Sequence, residues 1–485
     1  MNKPMPERFA WKRIRSRVAA PLFALTIAGC ALGPDYQRPV FDLPADWSAV
    51  SDANHRAVGG VGESWWSLYA DPVLDQLIEE ALQHNADAAV AAARVLEARA
   101  LLGLSDADRY PAVSAGLSGK RTKSSQLGTF PVNGIPLIQN DYRATLDANY
   151  EIDLWGKYRR ASEAARADLF AAESVRKSVR LSLTAQVVQQ YFALIAADAQ
   201  ADVAQRTLSS RDETLVLFAQ RLDAGTLSEY DLHQAQAEQA ATRSQLASLR
   251  QAQDRAESTL ALLLGRSPRA VMSGRVERGS PQAVSEVVIP AGLPSDLLLR
   301  RPDLQEAEAR LVAANARIGN ARAQYFPSIG LTAFFGGESV AFSQLFSGPA
   351  GIFQFAAAIT QPLWNAGRLR AGVELTEARR DQALAQYQKA VASAFKDVRD
   401  TLAAQRAASE TLAAETARAS ALEKALRIAQ IRFDAGLASR LDLLDVERNL
   451  FASELARIDS ERARKVALAD IFKALGGGWT ENDGG

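Results

Sequence analysis

The 485-residue sequence contains one cysteine, three methionines and three histidines, and each scarcity excludes something. A single thiol, Cys30, leaves no intrachain disulfide, so stability must come from burial and assembly. His55, His84 and His233 are scattered without a His, Cys or acidic partner at ligand spacing, and neither a metal nor any other cofactor is expected. The formal charge is zero and no basic patch is interleaved with aromatics, so nucleic acid is not an expected partner. Gly336-Gly337 and the GGVGESWW stretch near Gly59 lack the Lys-Ser/Thr of a phosphate cradle. No GxSxG elbow or catalytic dyad stands out, and the many acids read as solvated faces. The expectation is a protein that is not an enzyme.

Proline is missing where it would matter most. There is none from Leu137 to Ser267 and none after Pro362, and Ala, Leu, Gln, Glu and Arg dominate both stretches, the composition of very long helices. Lys157 to Arg221 and Arg368 to Arg432 span about 65 residues each, on the order of 100 Å as helix. Their alanine-rich, heptad-like pattern, as in LTAQVVQQYFALIAADA, gives one apolar stripe and one polar face. Taken alone, that pattern also fits a coiled-coil rod.

The short apolar run VAAPLFALTIAG follows Lys12, Arg13, Arg15 and Arg17. It is too short to span a bilayer permanently and reads as a secretory signal covering residues 1–29. It ends in Ile27-Ala28-Gly29-Cys30, which resembles a bacterial lipobox; that resemblance implies cleavage before Cys30 and lipidation of it. Ala31 rather than Asp at the next position implies sorting to the outer membrane. Without residues 1–29 the chain carries 50 Lys/Arg against 55 Asp/Glu.

What the chain has in abundance is itself. RLDAGTLSEYDLHQAQ at 221–236 is echoed by RFDAGLASRLDLLDVE at 432–447, Arg109-Tyr110-Pro111 by Tyr325-Phe326-Pro327, and Leu154-Trp155-Gly156-Lys157 by a Leu363-Trp364…Gly367-Arg368 counterpart, at offsets of 209 to 216 residues. Two copies of one unit follow. The expected divisions are 1–29, signal; 30–69, lipidated segment; 70–265, first repeat with strand pair 112–153 and tip turn 221–236; 266–300, linker or equatorial segment; 301–475, second repeat with strand pair 328–364 and tip turn 432–447; and 476–485, tail.

NDYRATLDANYEID alternates strictly from Tyr142 to Asp153, apolar on one face and polar on the other, for longer than the roughly 9 to 11 residues a tilted strand needs to cross a bilayer. AVSAGLSGKRT, SIGLTAFFG and IFQFAAAITQPL supply three weaker partners. Four strands cannot close a barrel, and hydrocarbon tolerates no open edge, so the remaining strands must come from other copies. Three chains give twelve. The expected fold is a mixed one: a membrane β-barrel continuing into a long α-helical barrel, trimeric, with four membrane strands per protomer. The doubled turns then sit at the far end. Gly225 and Gly436 suit a left-handed helix end, while Ser228 with Asp231 and Ser439 with Asp442 resemble capping boxes with Asp in place of Glu.

PSDLLLRRPDLQEAEARLVAANARIGNARAQYFPSIGLTAFFG, from Pro294 to Gly336, strongly resembles the signature region of the TolC-like outer membrane factors, in particular the OprM/NodT-type lipoproteins. LDANYEIDLWGK, the lipobox and both RxDAG turns agree with it. The resemblance implies a homotrimeric duct in the outer membrane lipid that reaches into the periplasm. Its implied partners are a periplasmic adaptor and an inner-membrane pump of the resistance-nodulation-division type. It further implies that Gly225, Ser228, Asp231, Leu232, Gly436, Ser439, Asp442 and Leu443 lie at adaptor-contacting tips, and that Leu441, Asp445 and Arg448 form the aperture gate. By spacing alone, Asp445 and Arg448 read first as an ordinary exposed i,i+3 pair, and only the resemblance favours the gate.

Two other readings share parts of this evidence. A coiled-coil structural lipoprotein explains the helices and Cys30 but not the alternation at 142–153. An outer membrane duct for type I protein secretion shares the fold. Only Met272 of the three methionines lies beyond residue 29, so no methionine-lined path for soft metal ions is expected, and small toxic organic compounds or drugs are the expected cargo.

Overall fold

A computed structural model of the chain describes residues 32–44, 64–127, 136–279 and 297–478. Cys30 and the signal segment lie outside them. The first repeat comprises α1 (Pro72–His84), α2 (Ala86–Ala107), β1 (Ala112–Lys123), β2 (Ile138–Glu151), α3 (Lys157–Asp223) and α4 (Glu229–Leu263). Two short helices follow, α5 (Pro268–Ser273) and α6 (Leu297–Arg300). The second repeat comprises α7 (Pro302–Ala323), β3 (Ser328–Ser339), β4 (Gly351–Thr360), α8 (Arg368–Asp434) and α9 (Arg440–Ala474). The long helices α3 and α8 each run 67 residues, and α4 and α9 each run 35. The repeat is thus kept to the residue on both arms of each helical hairpin.

The chain divides into two compact units. The first contains the described parts of Met1–Pro39, Leu96–Ala171 and Ala307–Tyr387. Its strands form one antiparallel sheet in the order β1-β2-β3-β4, so that the β2–β3 pairing joins the two repeats. A coiled-coil rod is thereby excluded.

Successive residues of a strand point to opposite faces, and the register sorts every side chain. Val113, Leu117, Leu146, Phe335, Phe353, Phe355 and Ile359 share one face, and each is more than half exposed in the single chain. Ser114, Ser118, Arg143, Thr145, Asp147 and Glu338 share the other. There the Arg143 guanidinium lies 3.7 Å from Glu338 and 4.4 Å above the Phe334 ring, and the Thr145 hydroxyl donates to Asp147 at 2.9 Å. Large apolar side chains gain roughly 1.5–3 kcal/mol each on leaving water, so a patch of seven demands apolar surroundings. The outer edges of β1 and β4 have no strand partner within the sheet.

The segment 32–39 lies against helices of the same unit. Leu32 N–H donates to the Trp155 carbonyl at 3.2 Å. The buried Arg160 donates to the Leu32 carbonyl at 3.3 Å and to Asp35 at 2.7 Å. From α7, Asn315 donates to the Pro34 carbonyl at 2.8 Å, and Glu308 accepts from Tyr36 and, in bidentate fashion, from Arg38. Gly33, at φ +110°, meets Gly319 so closely that a Cβ on Gly33 would stand 2.5 Å from the Gly319 Cα. Glu308, Asn315 and Gly319 of the Pro294–Gly336 signature therefore form a bed for this strap. LDANYEIDLWGK has a comparable local role: Asp153 caps α3 by accepting from the Tyr158 and Arg159 amides, and the Trp155 indole donates to the Pro327 carbonyl at 2.8 Å.

The second unit contains the described parts of Val40–Val95, Ala172–Glu306 and Gln388–Gly485. Its main core gathers Trp65, Tyr69, Leu74, Ile78, Tyr191, Phe192, Leu260 and Phe472. Trp65 stacks on Phe472 at 5.0 Å between ring centres. Asp71 caps α1 through the Val73 amide at 3.0 Å and also accepts from the buried Tyr191 hydroxyl. Burial, reinforced by Asp71, pushes that phenol far above the ordinary tyrosine range. Arg301, 7% exposed, donates to the Ala474 carbonyl at 2.9 Å and pairs with Asp303 at 2.7 Å and Asp397 at 3.1 Å. Desolvation alone would depress its basicity, but the two carboxylates outweigh it and hold the guanidinium charged.

Two outcomes follow from these packing arrangements. Leu146→Asp should block recovery of assembled protein from membranes, while Asp147→Leu, one residue along on the opposite face, should be recovered near normal levels; equal recovery would refute the assignment of faces. Arg301→Met, which leaves the Ala474 carbonyl and Asp397 unpaired, should cost about 2–3 kcal/mol, read as a lowered thermal midpoint of the purified protein.

Candidate functional site

The two doubled turns are built by the same chemistry. In the first, Gly225 takes φ +71°, its N–H reaches the Leu222 carbonyl at 2.8 Å, and the Thr226 N–H reaches the Arg221 carbonyl at 2.9 Å. In the second, Gly436 takes φ +70°, with the equivalent bonds to Phe433 at 2.9 Å and from Leu437 to Arg432 at 2.7 Å. Nested bonds of this kind satisfy the last carbonyls of a helix, and only glycine occupies the left-handed position without strain. RxDAG is thus a helix stop.

The restart differs between the copies. Ser439 accepts from the Asp442 amide at 3.2 Å, and Asp442 accepts from the Ser439 amide at 3.0 Å, a complete capping box. The Ser439 hydroxyl also donates to the Asp442 carboxylate at 2.8 Å, and this bond, together with the one from the Ser439 amide, lowers the Asp442 carboxyl below its ordinary range. Ser228 likewise accepts from the Asp231 amide at 3.2 Å and donates its hydroxyl to Asp231 at 2.6 Å, but its amide does not reach the Asp231 carboxylate, so the box is incomplete.

Of the residues expected at the tips, Gly225, Ser228, Gly436, Ser439 and Asp442 are exposed, and Asp231 and Leu232 are half-buried. Leu443 is 1% exposed. It supports the turn from inside and presents no surface. Exposed apolar groups that the spacing did not single out, Tyr230 and Leu437, stand at the same turns.

Leu441, Asp445 and Arg448 lie on one face of α9, all exposed. The i,i+3 pair does not form. Asp445 accepts from Asn449 at 3.2 Å, and Arg448 reaches across to Glu238 on α4 at 3.5 Å. Glu238 also pairs with Arg211 of α3 at 3.2 Å, and Arg211 donates to the Glu238 carbonyl and to the Thr242 hydroxyl. Nearby, Arg440 lies 3.7 Å from Glu447 and 4.9 Å above the Phe218 ring. Burial lowers the basicity of Arg211 and Arg440 and raises the Glu447 carboxyl. A layer of partly desolvated charge therefore couples the hairpin α3–α4 to α9 directly beneath the turns.

Arg211, Glu238, Arg440 and Glu447 were not singled out by sequence reasoning. One signal was available: at the constant offset of the turns, Arg440, Asp445 and Arg448 stand where the first copy has Glu229, Gln234 and Ala237. The repeats differ in charge at these three positions.

The sequence pattern of the outer membrane efflux protein family matches residues 77–266 and 293–477. The probable outer membrane lipoprotein SilC of Salmonella typhimurium is 36% identical over 457 residues, covering 94% of this chain and 97% of its own length. The cation efflux system protein CusC of Escherichia coli K12 is 34% identical over 456 residues, covering 94% and 98%. The toluene efflux pump outer membrane protein TtgC of Pseudomonas putida is 35% identical over 474 residues, covering 97% of each. Among solved structures, the CmeC outer membrane channel of Campylobacter jejuni superposes with a TM-score of 0.89 at 26% identity, covering 94% of this chain and 96% of CmeC. The outer-membrane channel OprN gives 0.85 at 32% identity, covering 93% and 100%. Duplicated hairpins, a sheet with one apolar face and open edges, and agreement over nearly the whole length converge: this chain belongs to the outer membrane efflux protein family.

Proposed function

We propose that three copies of this chain form the exit duct of a tripartite efflux system in the outer membrane, fed by a periplasmic adaptor and an inner-membrane pump. The observation that carries this reading is the four-stranded sheet with one apolar face, one polar face and two unpaired edges. In hydrocarbon each unpaired backbone group costs several kcal/mol, about 2–7 by transfer, and threefold closure removes both edges at once. The duct is passive; no side chain is assigned a catalytic role. Cys30 carries the lipid that anchors the N-terminus, each buried CH₂ contributing about 0.8 kcal/mol.

The cargo is small and organic. CusC is named for cation efflux and TtgC for toluene efflux, and the lining supports the second. No Met, His or Cys occurs in β1 to β4, so the polar face offers hydroxyls, amides and carboxylates, which hydrate a passing solute and do not ligate a soft cation.

The exposed turn residues, Gly225, Ser228, Gly436, Ser439 and Asp442 with Leu437 and Tyr230, meet the adaptor. Leu441 and Asp445 close the aperture as successive rings under threefold symmetry, and the Arg448–Glu238 contact holds α9 against its neighbouring hairpin in the closed state.

Cells lacking the protein should become sensitive to organic solvents, dyes or antibiotics and recover on complementation, with silver and copper tolerance unchanged. Loss of metal tolerance alone would overturn the cargo assignment, and a defect only in secreted protein would overturn the efflux reading. In planar bilayers, Asp445→Ala should raise the resting conductance of the duct; conductance equal to wild type would remove Asp445 from the gate.

A further inference from the structure

The charges of the sheet are sorted by face. On the polar face lie Lys120, Arg143, Asp141, Asp147, Glu151 and Glu338. On the apolar face the register places no acid at all and only two charged residues, Arg121 and Lys123. Both are exposed, and neither has a carboxylate partner among the described residues.

Their height is also specific. Gly119 pairs with Tyr142, Arg121 with Asn140, and Lys123 with Ile138. The Tyr142 ring, met by Phe342 at 5.6 Å, supplies near the top of the apolar band an aromatic pair of the kind that sits at a membrane interface, with Ile138 the one apolar side chain of β1 and β2 beyond it on this face. Arg121 and Lys123 follow two and four residues later, roughly 7 and 14 Å along the strand. They stand at the hairpin end of the sheet, opposite the end where the strands join α2, α3, α7 and α8. Because the helices extend into the periplasm, the hairpin end faces the cell exterior.

We propose that Arg121 and Lys123 form a binding site for the phosphates of the outer-leaflet lipid, the phosphorylated glucosamine head of lipopolysaccharide. Acyl chains pack on Val113, Leu117 and Leu146 below, and the two cations meet the head-group phosphates directly above the Tyr142 rung. Arg supplies a planar fork for phosphate oxygens and Lys a point charge. Both side chains point out of the sheet plane, so pairing of β1 with a neighbouring strand leaves them free. Three copies place six such cations around the barrel, with no anion on the same face of the sheet to compete.

The test uses the full-length assembled protein in detergent, incubated with bisphosphorylated hexa-acyl lipid A or with the same lipid stripped of both phosphates, and retained lipid is counted by native mass spectrometry. Wild type should retain the bisphosphorylated form at least roughly tenfold better, about one to two cationic contacts' worth. The double variant Arg121→Gln, Lys123→Gln should lose that preference, while Lys120→Gln, on the opposite face of the same strand, should keep it. Equal retention of the two lipids by wild type overturns the proposal without reference to any variant. So does retention by the double variant equal to wild type, or displacement of lipid A by millimolar inorganic phosphate, which would mark a simple anion site.

Discussion

The structure depends on one constraint: a backbone N–H or C=O in hydrocarbon must find a partner. β1 and β4 each leave one edge without a strand partner in the sheet, and no side chain can remedy that. The apolar face makes water an unsuitable medium, and the open edges make a single chain unsuitable in lipid. Assembly is thus part of the fold itself. The β2–β3 pairing carries the same logic inside the chain, since it makes one continuous sheet from two repeats that would otherwise expose two further edges.

The helical hairpins rely on a different economy. α3 with α4, and α8 with α9, are matched at 67 and 35 residues, and each pair is stopped by a left-handed glycine and restarted by a serine cap. Within the second unit, small apolar clusters such as Ala204, Leu208, Leu246 and Leu249 hold the arms together. Beneath the turns, packing yields to charge: Arg211, Glu238, Arg440, Glu447 and Arg448 couple the first hairpin to α9. Packed alanines fix a helix pair in one arrangement, whereas partly desolvated ion pairs change strength when water enters. The charged layer is therefore the natural place for movement.

Much of this was legible in the sequence because the signals were periodic or negative. Absence of proline marked the long helical stretches, the RxDAG turns set their C-terminal ends to within two residues, and strict alternation at 142–153 set the faces of β2. The two glycine turns were legible because only one residue type suits a positive φ. Long-range polar contacts left no such trace. The strap at 32–39 has no period, and its partners Arg160, Glu308 and Asn315 look like ordinary helix residues until the fold brings them together. Leu443 illustrates the other limit: in RLDLLDVE, adjacent leucines at 443 and 444 are both buried, and a turn motif alone does not separate the residue that presents surface from the one beneath it. The tip and gate assignments came from resemblance; the geometry removes Leu443 from the exposed set and adds Tyr230, Leu437 and the Arg448–Glu238 contact.

The strap carries a consequence for the order of events during synthesis. Tyr36 and Arg38 bind Glu308, 272 and 270 positions later, and Pro34 is held by Asn315. Loops of that size close slowly, because entropy is lost before any contact is made. The N-terminus is made first, and its contacts with Trp155 and Arg160 need only the first repeat, but those with Glu308 and Asn315 wait for α7, the first element of the second. Until then nascent chains have a partly held leading segment and half a sheet. Any periplasmic chaperone that recognises unpaired strands therefore has a long interval in which to act, and the interval ends when the second repeat supplies the bed for the strap.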